Sequence, residues 1–134
     1  MSLAMDPASG ITRARLERVE GEAKVALLGD YLNFPMPQLD RLLPELDLGD
    51  AFRAGPNSDV PVLVLSGTLD GRTYLEEQRE AVAGLSNARI VLVRNAGHNL
   101  FMTSPEVTAR IESFMRGEDV STDDIVVALP VPTL

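Results

Sequence analysis

Two short apolar runs constrain this chain more than anything else in it. "VPVLVLS" (60–66) and "ARIVLVR" (88–94) are unbroken, rich in β-branched residues, and far short of the roughly 18 residues of a membrane span. Runs of this kind are strands covered on both faces, as in a parallel sheet. Pro61 fits because it falls near the start of its run. Between the two runs, Thr73-Tyr74-Leu75-Glu76 matches a capping box, with Thr73 as N-cap. The helix it opens is predicted to reach about Leu85, turning Leu75, Val82 and Leu85 to the core. After the second run, Ser104-Pro105 starts another helix, with Val107, Ile111, Phe114 and Met115 as its apolar stripe and Gly117 as its stop. Residues 60–117 therefore read as strand, helix, strand, helix, and the fold class is α/β.

The flanks are less regular. "MSLAMDPASG" (1–10) looks like an expression leader without fixed structure. Apolar residues at three- and four-residue steps predict a helix from Thr12 to Leu32, with a stop near Gly29, and a short helix over Gln38–Leu43 follows the break at "FPMPQ". The turn-rich "RAGPNSD" (53–59) separates a helical segment, 11–55, from the strand-bearing segment, 56–117. In the acidic tail, 118–134, "DIVVALPVP" holds apolar residues for a short edge strand.

Composition removes several classes of function. With 134 residues the chain makes one small domain, and 45% hydrophobic with 24% charged residues is the balance of a globular protein. A net charge of −8 without a basic patch argues against nucleic acid or an anionic membrane as partner. The absence of cysteine excludes disulfides, thiol nucleophiles and thiolate metal sites, and a single histidine excludes a His-rich metal cage. No cofactor is expected. The start of the chain lacks the basic and apolar regions of a signal peptide, so the expected location is cytoplasmic.

In an open parallel sheet, functional groups gather at the carboxyl ends of strands. Asp70, in "SGTLDGRT", lies four residues past the first run, and His98, in "NAGHNL", four past the second. Neighbouring strands joined by one crossover open both loops on the same rim. There Asp70 can accept the Nδ1 proton of His98, fix its tautomer and stabilise the imidazolium, leaving His98 as general base toward a hydroxyl nucleophile. Taken singly, an aspartate between glycines reads as a turn or capping residue, and a lone histidine after a strand as structural. The paired placement is what points to catalysis.

Residues 60–104, "VPVLVLSGTLDGRT…ARIVLVRNAGHNLFMTS", resemble the C-terminal half of α/β-hydrolases, in particular the proline iminopeptidase and tripeptidyl aminopeptidase-like (TAP-like) group. "LGDYLNFP", "LDLGDAFRAG" and "FMRGEDV" are similar to the same group, so the likeness spans roughly residues 25–120. The resemblance implies a partial α/β-hydrolase fold with Asp70 as triad acid and His98 as triad base, and residues 11–55 as the end of a cap over the substrate pocket. Tyr74 departs from the pattern, which has proline after "GRT".

The family also needs a nucleophile elbow, G-x-S-x-G, ahead of the acid and base. The only glycines four apart, Gly67 and Gly71, have Leu69 between them, and Ser66 and Ser86 lie outside any elbow. The expectation is the C-terminal part of a serine hydrolase, aminopeptidase-like, inactive alone, whose complete form cleaves small peptides or esters. Two alternatives remain: a non-catalytic oligomerisation module from a truncated gene, and a fragment of an esterase or dehalogenase of the same fold. Two parallel strands cannot close both edges by themselves. The chain is thus expected to associate with itself through strand edges or apolar helices, or with a missing N-terminal half.

Overall fold

The computed structural model describes residues 2–31, 34, 38, 39 and 42–129, as two compact units, Met1–Gly55 and Pro56–Leu134. In the first unit, the stretch that looks like a leader carries a helix, α1 (Ser2–Ser9). Its end is held by polar contacts. Leu48 N–H donates to the Ala8 carbonyl (2.9 Å), and the Arg53 guanidinium donates to the Ser9 carbonyl (3.3 Å) while pairing with Asp47 (2.6 Å) and Asp50 (2.9 Å).

The second helix, α2 (Arg13–Ala23), begins where the sequence places it, with Thr12 Oγ1 accepting the Arg15 N–H at 3.3 Å. It stops well short of Leu32, and turns follow as far as Tyr31. The reason is lack of packing: Val25 and Leu27 are 89% and 99% exposed, and short helices persist through a buried face. A 3₁₀ turn (Pro44–Leu46) and α3 (Gly49–Arg53) complete this unit. The helix expected over Gln38–Leu43 falls partly outside the described residues; Gln38–Leu39 form a turn and Leu42–Leu43 a bend.

The second unit is a parallel three-stranded sheet in the order β1 (Val62–Gly67), β2 (Ala88–Arg94), β3 (Ile125–Val126). Val62 lies opposite Ala88 and Gly67 opposite Val93, while Val93 and Arg94 lie opposite Ile125 and Val126. The central strand, β2, supplies Val91 and Val93 to the core. Helix α5 (Pro105–Met115) adds Val107, β3 adds Ile125, and Leu63, Leu65 and Ile111 pack against that cluster. The α5 start follows the sequence: Ser104 Oγ accepts the Val107 N–H at 3.2 Å, with Pro105 in the first turn. Met115, expected on its apolar stripe, is instead exposed. The acidic segment before β3 is tied back by arginines, Arg89 to Asp119 and the Val120 carbonyl, and Arg94 to Asp124 (2.5 Å).

Helix α4 (Leu75–Ala81) differs from expectation at both ends. It is preceded by Tyr74 without a side-chain cap, because the Thr73 hydroxyl is engaged elsewhere. It ends before Leu85 because the chain is drawn out to the sheet: Leu85 bridges Ser58 in parallel, and Gly84 presses against the Pro56 main chain where no Cβ would fit.

Candidate active site

The parallel pairing of β1 and β2 brings the two loops that follow them to one rim. They are stitched together by main-chain and side-chain hydrogen bonds. Thr68 N–H donates to the Val93 carbonyl (3.1 Å), Leu69 N–H to the Ala96 carbonyl (2.9 Å), and Asn95 N–H to Thr68 Oγ1 (3.0 Å). Asn95 sits in the left-handed region (φ 65°), which asparagine tolerates better than most residues, and its side chain donates to the Val127 carbonyl at 2.9 Å. Gly67 allows the loops this approach: a Cβ there would lie 2.5 Å from the Ala96 carbonyl oxygen and closer still to that of Gly97. Only glycine fits.

This stitching sets Asp70 against His98, with Asp70 Oδ2 3.0 Å from His98 Nδ1. The two carboxylate oxygens of Asp70 divide their contacts between the turn and the histidine. Oδ1 accepts the N–H groups of Arg72 (2.8 Å) and Thr73 (3.2 Å), as a turn residue does; Oδ2 faces His98 and also accepts the Thr73 hydroxyl (2.7 Å). The Asp70 side chain is only 3% exposed, against 38% for His98.

The Thr73 hydroxyl, foremost, holds the Asp70 carboxyl well below the usual carboxylate range; burial opposes this, and the Arg72 N–H, His98 and the Thr73 N–H add to it. Asp70 is therefore ionised at neutral pH and can only accept, so the proton between the two residues resides on Nδ1 of His98. That tautomer leaves the Nε2 lone pair free to take a proton. Among the described residues, the bond to Asp70 is the one hydrogen bond of the His98 side chain.

Among the described residues, no serine of the sheet hydrogen-bonds to the side chains of this pair. Ser66 is 2% exposed inside β1. Ser86 precedes β2 whereas His98 follows it, about 20 Å apart at the rise of a strand. A cleft of about 410 Å³ bordered by Ser86, Asn87 and Arg89 opens at that far rim, away from both site residues. Beside Asp70 lies a smaller cavity of about 230 Å³, bordered by Ser66, Thr68, Tyr74 and Glu76. Among the described residues no cluster of three or more His, Cys, Asp or Glu is placed to hold a metal ion, and no helix is long and apolar enough to cross a membrane.

Sequence pattern alone missed Thr73, which reads as a helix cap, and the Thr68–Asn95 link. The aspartate–threonine spacing of three was the available signal for the first, since a hydroxyl three residues on can return to a turn carboxylate. No curated protein and no solved structure matches the chain. A family model described as TAP-like protein matches residues 49–126, which contain both strands, both loops and the Asp70–His98 pair. Because the match covers more than half of the chain, the chain belongs to the TAP-like α/β-hydrolases.

Proposed function

We propose that Asp70 and His98 are the acid and base of a serine hydrolase, and that this chain is its C-terminal part. The observation that carries the reading is the 3.0 Å contact between Nδ1 of His98 and a buried, ionised Asp70. The base takes the proton of a serine hydroxyl as that oxygen attacks an acyl carbon, then returns it to the leaving amine or alcohol. Asp70 orients the imidazole and stabilises its cation throughout.

The serine would come from a G-x-S-x-G segment outside these 134 residues, so this chain by itself is inactive. Its complete form is an aminopeptidase-like acyl hydrolase acting on small peptides or esters in the cytoplasm, with residues 11–55 contributing to the cap. The outer edge of β1, which pairs on one side with β2, supports association with the missing half or with a second copy.

The test has two parts. A fluorophosphonate probe should leave the 134-residue chain unlabelled, and specific labelling of any of its serines overturns the proposal. In the gene extended upstream through its G-x-S-x-G frame, His98→Ala should lower peptide hydrolysis by about three orders of magnitude or more. A loss below about tenfold would mean that His98 is not the base.

A further inference from the structure

Thr73 has the residue type and spacing of a helix cap, yet α4 begins without a side-chain cap, and the contact of the Thr73 hydroxyl with that helix is a hydrogen bond accepted from the Gln78 side chain at 3.4 Å. Oγ1 lies 2.7 Å from Oδ2 of Asp70, the same oxygen that faces His98. A carboxylate only accepts, so Thr73 is the donor. Thr73 is itself anchored. Its N–H donates to Oδ1 of Asp70 (3.2 Å), and its carbonyl accepts from Gln78 Nε2 (3.0 Å), within α4. Gln78 makes that bond although its Oε1 is buried without a partner, an arrangement that costs free energy.

We propose that Thr73, held by Gln78, is a positioning residue of this site, whose hydroxyl keeps Oδ2 of Asp70 aimed at Nδ1 of His98. The proposal rests on the acid–base reading of that pair. Without the hydroxyl, Oδ1 keeps its two N–H donors, but Oδ2 is left with His98 as its single partner among the described residues. The carboxylate then loses the strongest of the contacts that favour its charged form. Among the described residues, the titratable side chains placed near Asp70 include His98 across the loops and Tyr74 and Glu76 along the small cavity; Arg72 contributes its main-chain N–H.

The experiment is NMR on the 134-residue chain, following the Asp70 carboxyl carbon and the His98 ring nitrogens with pH. Thr73→Val exchanges the hydroxyl for a methyl of similar size, and Thr73→Ser retains it. In Thr73→Val, Asp70 should titrate about one pH unit higher than in the wild type, the scale of one lost charge-assisted hydrogen bond. Thr73→Ser should titrate with the wild type. An Asp70 titration unmoved in Thr73→Val, or moved equally in both variants, overturns the proposal. If Thr73→Val does not fold, Thr73→Ala carries the same comparison. Asp70→Asn separates the two levels of the argument. If it leaves the His98 nitrogens unchanged, the acid–base reading fails and this proposal with it, whereas a failure confined to Thr73 leaves that reading standing.

Discussion

Gly67→Ala is the substitution from which the structure yields the most definite consequence. The added Cβ would stand 2.5 Å from the Ala96 carbonyl oxygen, where real Cβ atoms keep at least 3.0 Å and ordinarily 3.4 Å. The end of β1 and the 96–97 segment must therefore part by about 0.5–0.9 Å, the difference between those distances, and by more at Gly97. Both obstacles are main chain, so no side chain can rotate out of the way.

The same parting stretches the Leu69–Ala96 hydrogen bond (2.9 Å) and the Asp70–His98 contact (3.0 Å) toward or past the limit of a hydrogen bond. Overpacking costs about 1–3 kcal/mol. Two weakened hydrogen bonds add about 1 kcal/mol each, for about 3–5 kcal/mol in all. A domain of this size has about 5–15 kcal/mol in total, so the melting temperature should fall by more than about 10 °C. Gly71→Ala is the control within the same loop, since a Cβ there meets nothing within 4 Å; its effect should stay within about 0.5 kcal/mol. Urea unfolding followed by circular dichroism reads both. If Gly67→Ala unfolds within about 1 kcal/mol of the wild type and leaves the His98 resonances in place, the close approach of the loops is wrong.

Three further outcomes follow from the same structure. The Asp70 carboxyl is held below its unfolded value, so its contribution to stability is complete above that value, about pH 4, and drains away as pH falls further. Denaturant titrations should find Asp70→Asn less stable than the wild type at about pH 5–6, with the gap narrowing below about pH 4. Val107→Ala, at a fully buried α5 position, should cost about 2–3 kcal/mol, while Met115→Ala, exposed on the same helix, should cost less than about 0.5 kcal/mol. Ser104→Ala removes the hydroxyl that accepts the Val107 N–H and should lower stability by about 1 kcal/mol, measured by the same unfolding curves.

The sheet and its site were legible in the sequence for a physical reason. Unbroken β-branched runs read as strands, so "VPVLVLS" and "ARIVLVR" mark β1 and β2 to within about two residues. The expected burial on both faces is incomplete: Val91 and Val93 are buried, whereas Ile90, Leu92 and the apolar residues of β1 are half-buried. Because both strands point the same way, equal offsets beyond their ends fall on one rim, and Asp70 and His98 meet. Ser104 and Pro105 are likewise local instructions that the fold obeys. What sequence could not supply was competition between partners. Thr73 could cap α4 or bind Asp70, and only the position of the carboxylate decides between them. The 12–32 periodicity describes a helix that needs a surface to lie on, and Val25 and Leu27 find none among the described residues. Gly84 falls inside the helix expected to reach Leu85, whereas in the structure its missing Cβ lets the Pro56 main chain pass.

The central claim is that Asp70 dictates where His98 carries its proton. The ¹⁵N shifts of the His98 ring nitrogens, measured in the neutral form of the imidazole, read this directly. Nδ1 should give the signal of a protonated nitrogen and Nε2 that of a bare one, with the pattern lost in Asp70→Asn. A His98 protonated on Nε2 and indifferent to Asp70→Asn would contradict the account.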